Sequence, residues 1–184
     1  MAGDRLFVAV ALDEETRGAV EAHLAGALTG KPLPGRAVVP RNWHFTLRFL
    51  GDTAAEDARR LREELRATEL GPAFEIGFAR LGAFPRAARA GVLWVGVGAG
   101  TDPLRALAAR VDEAAARAGF VRDPKPFAPH LTIARVQPPR DVRDVIAAVP
   151  ALDVTMRVSE AVLYRSTLGG GPPRYEVVER FPLG

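Results

Sequence analysis

The chain contains no cysteine, which excludes disulfides, thiolate nucleophiles, zinc-finger ligands and iron–sulfur clusters together. Lysine is nearly absent: Lys31 and Lys125 are the only two, so the basic charge rests almost wholly on arginine. Long apolar runs are missing as well. The opening stretch MAGDRLFVAVALDEE has apolar residues only from Leu6 to Leu12 before its acids begin, too few to span a membrane and without the layout of a signal peptide. A cytoplasmic protein without membrane association is expected. No GxxxxGK[ST] loop is present, and the glycines of GVLWVGVGAG lack dinucleotide-binding spacing, so no cofactor is expected. Histidine is scarce too, with three in the chain.

What remains is the composition of a soluble globular protein. Of 184 residues, 48% are hydrophobic and 26% charged, enough to bury a substantial core in one domain or in two small lobes sharing it. Net charge is only +3. The arginine excess has two readings: the coding bias of a GC-rich genome, or guanidinium forks that bind phosphate bidentately.

Along the chain, residues 5–11 read as a buried strand, and the next segment spaces Ala19, Val20, Leu24, Ala27 and Leu28 as one helical face. His23 lies in that helix and reads as a surface or half-buried histidine. The prolines of KPLPGRAVVP predict a loop over 31–40. Thr53 and Glu56 have capping-box spacing before a helix carrying Ala58, Leu61 and Leu65, and Asp52 is expected to help begin it. Phe74–Leu81 and Val92–Val97 read as strands joined by the loop AFPRAARAG, which holds Arg86 and Arg89. Asp102 and Pro103 start a helix that Gly119 ends. A short helix near Val142–Ala148, one or two strands over Leu152–Arg165, the loop STLGGGPP and a half-exposed edge strand RYEVVERF complete the pattern. The loops at 31–41 and 83–91 are the expected mobile rims.

Two stretches stand apart: NWHFTLRFLG around His44, and FAPHLTIARV around His130. Each holds His-x-Thr within an apolar run, and each follows a proline-containing loop. Side chains alternate across a strand, so His44 and Thr46 share one face while Phe45 and Leu47 take the other; His130 and Thr132 do likewise against Leu131 and Ile133. If the two strands meet, two fixed imidazoles face one cleft, one able to act as base and the other as acid near neutrality. The threonine hydroxyls suit the non-bridging oxygens of a tetrahedral anion. Arg135, near the end of its strand, is a further candidate for phosphate. One such motif would read as chance; two in matching contexts suggest an internal duplication in an α+β fold. A metal site is the rival, since imidazole is a common ligand, but neither motif has a third ligand at the required spacing.

With both motifs in view, the chain resembles the 2H phosphoesterase superfamily, and within it the RNA 2′,3′-cyclic phosphodiesterases, also called 2′-5′ RNA ligases. The resemblance runs through RLFVAVAL, HFTLRFLGD, GAFPRAARAGVLWVGV, FAPHLTIARV and LYRSTLGGGPPRYEVVERFPL in order, nearly the whole length. It implies a single domain over 1–184, an α+β fold of two intertwined pseudo-symmetric lobes, each giving one HxT strand to a central cleft. It implies His44 and His130 as the acid–base pair, Thr46, Thr132 and Arg135 as phosphate ligands, and Phe7 and Tyr164 as residues lining the nucleotide site. The implied reaction is metal-independent: water opens an RNA 2′,3′-cyclic phosphate to a 2′-phosphate, with His130 as base and His44 as acid, and the reverse joins RNA ends. A monomer is expected. The alternatives are a non-catalytic RNA- or nucleotide-binding module, and a related enzyme acting on small cyclic nucleotides. The arginines at 86 and 89 favour a longer nucleic acid.

Overall fold

A computed structural model describes residues 4–184; the first three residues of the opening stretch, on which part of the leader reading falls, lie outside the described residues. The first apolar run forms β1 (Asp4–Ala11), whose centre, Leu6 to Val10, is buried throughout. Helix α1 (Glu14–Leu28) follows, its start fixed by the Asp13 carboxylate, which accepts the Thr16 amide at 2.7 Å. Thr16, Val20, Leu24 and Leu28, spaced one turn apart, bury its inner face.

The segment expected to be a loop at 31–40 is tied down. It contains β2 (Arg36–Ala37), paired with the His130 strand, and a 3₁₀ turn at Pro40–Asn42. Val38 donates its amide to the Ile133 carbonyl at 2.8 Å, and the Trp43 indole donates to the Val38 carbonyl at 3.0 Å. The His44 motif lies on β3 (His44–Thr53). This strand runs further than its pattern suggests, with Asp52 and Thr53 paired opposite Arg5 and Asp4. The capping box therefore does not form, and Asp52 takes no part in starting α2 (Ala55–Ala67): the Thr53 hydroxyl donates to the Gly51 carbonyl, Ala54 holds the cap position without a side-chain bond, and Glu56 pairs with Arg59.

The expected loop at 83–91 is mostly strand. β4 (Phe74–Arg86) and β5 (Arg89–Val97) form a long hairpin turned by Ala87 and Ala88. Past Ala79, whose carbonyl still accepts the Leu152 amide, β4 has left β7 (Thr155–Val158) behind and is paired with β5 alone, the edge setting in which a proline such as Pro85 is tolerated. Helix α3 (Thr101–Arg117) begins one residue earlier than expected, and Gly119 follows its end as expected. The second motif lies on β6 (His130–Arg140); α4 (Arg143–Ala148), β8 (Glu160–Thr167) and β9 (Arg174–Pro182) close the described chain.

The architecture is α+β, as expected. Two antiparallel sheets run in the orders β3-β1-β8-β9 and β2-β6-β5-β4-β7, with β9 on the edge that its alternation suggested. Each sheet holds one HxT strand, and β3 meets β6 where the sheets approach. Among the described residues no helix is long and apolar enough to cross a membrane.

Candidate active site

The two motif strands repeat each other down to their register. His44 lies opposite Ala11 and Thr46 opposite Ala9 on β1; His130 lies opposite Gly96 and Thr132 opposite Trp94 on β5. After each threonine the pairing slips by one residue, leaving Leu47 and Ile133 as bulges. Two consecutive side chains then turn inward, Leu47 with Arg48 and Ile133 with Ala134, so the next residue, Phe49 or Arg135, returns to the histidine face. Simple alternation puts Arg135 on the opposite face from Thr132, and the expected position near a strand end is also corrected: it sits mid-strand, turned into the cleft by the bulge. Gly35 supports this geometry from the neighbouring segment. Its φ is +76°, and a Cβ there would lie 2.4 Å from the Arg135 carbonyl oxygen.

Both imidazoles are anchored alike. Nδ1 of His44 donates to the Asn42 carbonyl and Nδ1 of His130 to the Ala128 carbonyl, each at 2.7 Å. A carbonyl can only accept, so Nδ1 carries a proton in each ring, and Nε2 is the nitrogen that gains or loses one. Nε2 of His44 accepts the Thr46 hydroxyl at 3.0 Å. His44 also sits within an aromatic cluster, 4.9 Å from the Phe7 ring and 5.4 Å from that of Tyr175, which stands edge-on to it. Burial pushes the His44 pKa down to about 4; the Asn42 hydrogen bond opposes this, and the charges of Arg135 and His130 add to it.

A cleft of about 600 Å³ brings together His44, Thr46, His130, Thr132 and Arg135. Arg5 and Arg36 also line it and, among the described residues, no carboxylate does, so its field favours anions. Arg36 lies opposite Arg135 across the β2–β6 pair, and Arg5 stacks on Phe49 at 4.8 Å. Phe7 lines the same cleft, although only 4% exposed. Tyr164 does not: it stacks on the far side of Phe7 at 5.3 Å and faces the neighbouring cavity. Arg86 and Arg89 pair across the hairpin turn and do not line the cleft. Among the described residues no three His, Asp or Glu side chains form a group able to hold a metal ion.

Sequence reasoning missed Tyr175, Asn42 and the lip at 168–173. Tyr175 arrives from the edge strand β9, and burial pushes its hydroxyl pKa up, against the opposing charges of Arg135 and Arg5, so it remains a protonated donor near neutrality. The Asn42 amide donates to the Pro173 carbonyl at 2.8 Å, joining the segment that anchors His44 to that lip. The only signal for either residue was their position in stretches already set apart. The surroundings of His130 were equally hidden. Phe84 stands edge-on to it at 5.0 Å with Trp94 beside it, and Gly82 leaves room for the Trp94 ring, which a Cβ would approach to 2.2 Å.

A sequence profile described as the 2′-5′ RNA ligase superfamily matches residues 19–170. A protein of Methanothermobacter thermautotrophicus named RNA 2′,3′-cyclic phosphodiesterase is 35% identical over 97% of this chain and 98% of its own. One of the same name from Escherichia coli is 31% identical over 97% and 96%. The crystal structure of Escherichia coli LigT complexed with 3′-AMP superposes with a TM-score of 0.79 at 29% identity, covering 100% of this chain and 99% of that one. Two bulged His-x-Thr strands facing one cleft, in a chain that matches these relatives almost end to end, belong to a member of the 2′-5′ RNA ligase superfamily.

Proposed function

We propose that the cleft hydrolyses the 2′,3′-cyclic phosphate at the end of an RNA, leaving a 2′-phosphomonoester. The observation that carries this reading is the pair of imidazoles, each anchored through Nδ1, with Nε2 of His44 shared only with the Thr46 hydroxyl, in a pocket lined by three arginines and, among the described residues, no carboxylate. Relatives matched over almost their whole length bear the name of that activity.

In the reaction, His130 Nε2 takes a proton from water as the water oxygen bonds to phosphorus. His44 Nε2 gives a proton to O3′ as the P–O3′ bond breaks. Thr46, Thr132 and Arg135 hold the non-bridging oxygens, where charge accumulates in the transition state. Burial first, and the Arg135 charge after it, hold His44 unprotonated in the free protein at neutral pH, so it gains its proton with the substrate, whose negative charge favours the imidazolium. With the 5′-hydroxyl of a second RNA in place of water, the same two proton transfers join the ends through a 2′-5′ phosphodiester as P–O3′ breaks; water is in far greater supply, so hydrolysis is favoured. Both histidines come from one chain, so a monomer of one two-lobed domain suffices.

The lowered pKa of His44 favours a second reading in which the roles are exchanged, because an unprotonated Nε2 is ready to act as base. A substrate with sulfur in place of O3′ separates the two, since a thiolate leaves without a proton. Whichever histidine variant this substrate rescues had lost the acid.

The test of the activity itself is hydrolysis of a short RNA ending in 2′,3′-cyclic phosphate, in EDTA, by wild type, His44→Ala and His130→Ala. Turnover to the 2′-phosphate that collapses in both variants is expected. A folded wild-type protein that is inert even with divalent metal restored would overturn the reading.

A further inference from the structure

A second cavity of about 730 Å³ adjoins the catalytic cleft and shares Asn42, His44 and Tyr175 with it as a common wall. The two lie on either side of these three residues, and an extended ligand that passed them would occupy both as one trench. Five arginines from four separate elements line the new half: Arg17 of α1, Arg41 of the 3₁₀ turn, Arg157 of β7, and Arg174 and Arg180 of β9. Its two carboxylates are already engaged, Asp13 in capping α1 and Glu160 in an ion pair with Arg180. Among the described residues, Arg17, Arg41, Arg157 and Arg174 have no ion-pair partner; exposed arginines elsewhere, such as Arg86, Arg89 and Arg140, are unpaired too, but these four line one cavity.

This concentration is not a general property of the chain. The protein has 25 basic and 22 acidic residues; without this cavity's five arginines and two acids, the remainder carries equal numbers of each. The cavity's excess of three positive charges adds to the three arginines of the adjoining cleft, so basic charge is concentrated along the two together.

We propose that this arginine cavity holds the single-stranded RNA body on the 5′ side of the cyclic phosphate, an inference that rests on the cyclic-phosphodiesterase reading of the adjoining cleft. The terminal phosphate sits at the two HxT strands, so the rest of a polymer has to leave past a wall of the cleft. The wall at Tyr175 opens into unpaired guanidinium groups spread along a path, which suits successive phosphates. Tyr175 on this wall and Tyr164 in the cavity beyond it are both half-buried, and aromatic side chains beside unpaired guanidinium groups are the combination that single-strand binding uses. A mononucleotide fills the catalytic half alone, which makes the trench a device for choosing RNA ends over small cyclic nucleotides.

The test uses Arg157→Gln/Arg174→Gln; both side chains are exposed, so the fold is expected to be unaffected. Fluorescence anisotropy measures binding of a 5′-labelled single-stranded octanucleotide ending in a 3′-phosphate, across a salt series. Wild type is expected to bind it far more tightly than a nucleoside 3′-phosphate. The variant is expected to lose affinity about tenfold or more at low salt. Its plot of log affinity against log salt should be shallower by about 1.4, for two lost phosphate contacts. Its hydrolysis of a mononucleoside 2′,3′-cyclic phosphate should remain within about twofold of wild type. Equal affinity of wild type for octanucleotide and mononucleotide, or an unchanged salt slope in the variant, would overturn the proposal. Absence of cyclic-phosphate hydrolysis by wild type would instead overturn the activity, and the anisotropy would still decide whether the trench binds RNA.

Discussion

The strands carrying His44 and His130 share a backbone and differ in their surroundings. Both have the same buried and half-buried sequence, the same bulge after threonine and the same Nδ1 anchor two residues back. Yet His44 is enclosed by Phe7 and Tyr175 and bonded to Thr46, while His130 stands in a more open part of the cleft against the edge of Phe84. A duplicated backbone fixes where two imidazoles point; the side chains packed around His44 push its pKa down by burying it. Two roles can thus come from one repeated element.

The most damaging way to break the pair is to remove either imidazole. His44→Ala and His130→Ala should each lower kcat by about 100- to 10,000-fold, measured by single-turnover hydrolysis. The double variant should lose little beyond the worse single one, because the two act as a unit. Next, moving the bulge residue's outcome without moving the backbone tests the register argument. Arg135→Gln should lower kcat/KM by about 10- to 100-fold, the loss of one charged phosphate contact of roughly 1.5–3 kcal/mol. It should also raise the pKa of His44, one of whose neighbouring charges it removes, in an NMR titration. An unchanged His44 titration would show that the two strands do not communicate.

A third experiment sharpens the contrast in burial. Unfolded histidine takes up a proton near pH 6.5, whereas folded His44 does so only near 4. The unfolded state therefore binds more protons between those values. The stability that comes from keeping His44 neutral is full above about pH 6.5 and is lost as pH falls towards 4. Urea melts at pH 7 and 4.5 should show a stability drop that is smaller in His44→Gln by on the order of 1–3 kcal/mol. Last, Gly82→Ala should force the Trp94 ring from its place beside His130, costing about 1–3 kcal/mol in the same melts and disturbing activity through His130 alone.

How legible all this was depended on the range of the interaction involved. The faces of β3 and β6 as far as Thr46 and Thr132 follow from strict alternation, and the inner face of α1 from its turn-by-turn spacing, so local pattern sufficed. Arg135 was identified but misplaced, because a bulge depends on which partner strand is adjacent and leaves no mark on the strand's own residues. Tyr175 was read only as part of an edge strand. It reaches His44 because β9 joins β8, which joins β1, a chain of pairings set by the whole sheet. At 83–91 the single proline and the small and basic residues suggested a loop, and pairing of β4 with β5 accommodated them as strand. The capping box failed for a similar reason, since pairing with β1 claimed Thr53 first.

Arg36 and Arg135 face each other on neighbouring strands, and among the described residues neither has an ion-pair partner. Held this close without a counter-charge, they push against the sheet that carries them. An oxyanion between them should relieve that push, so inorganic phosphate should raise the melting temperature of the protein while it slows turnover by occupying the substrate's place. Sturdiness and speed would then move in opposite directions as one solute is titrated, and the most heat-resistant preparation of this enzyme would be the one least able to work.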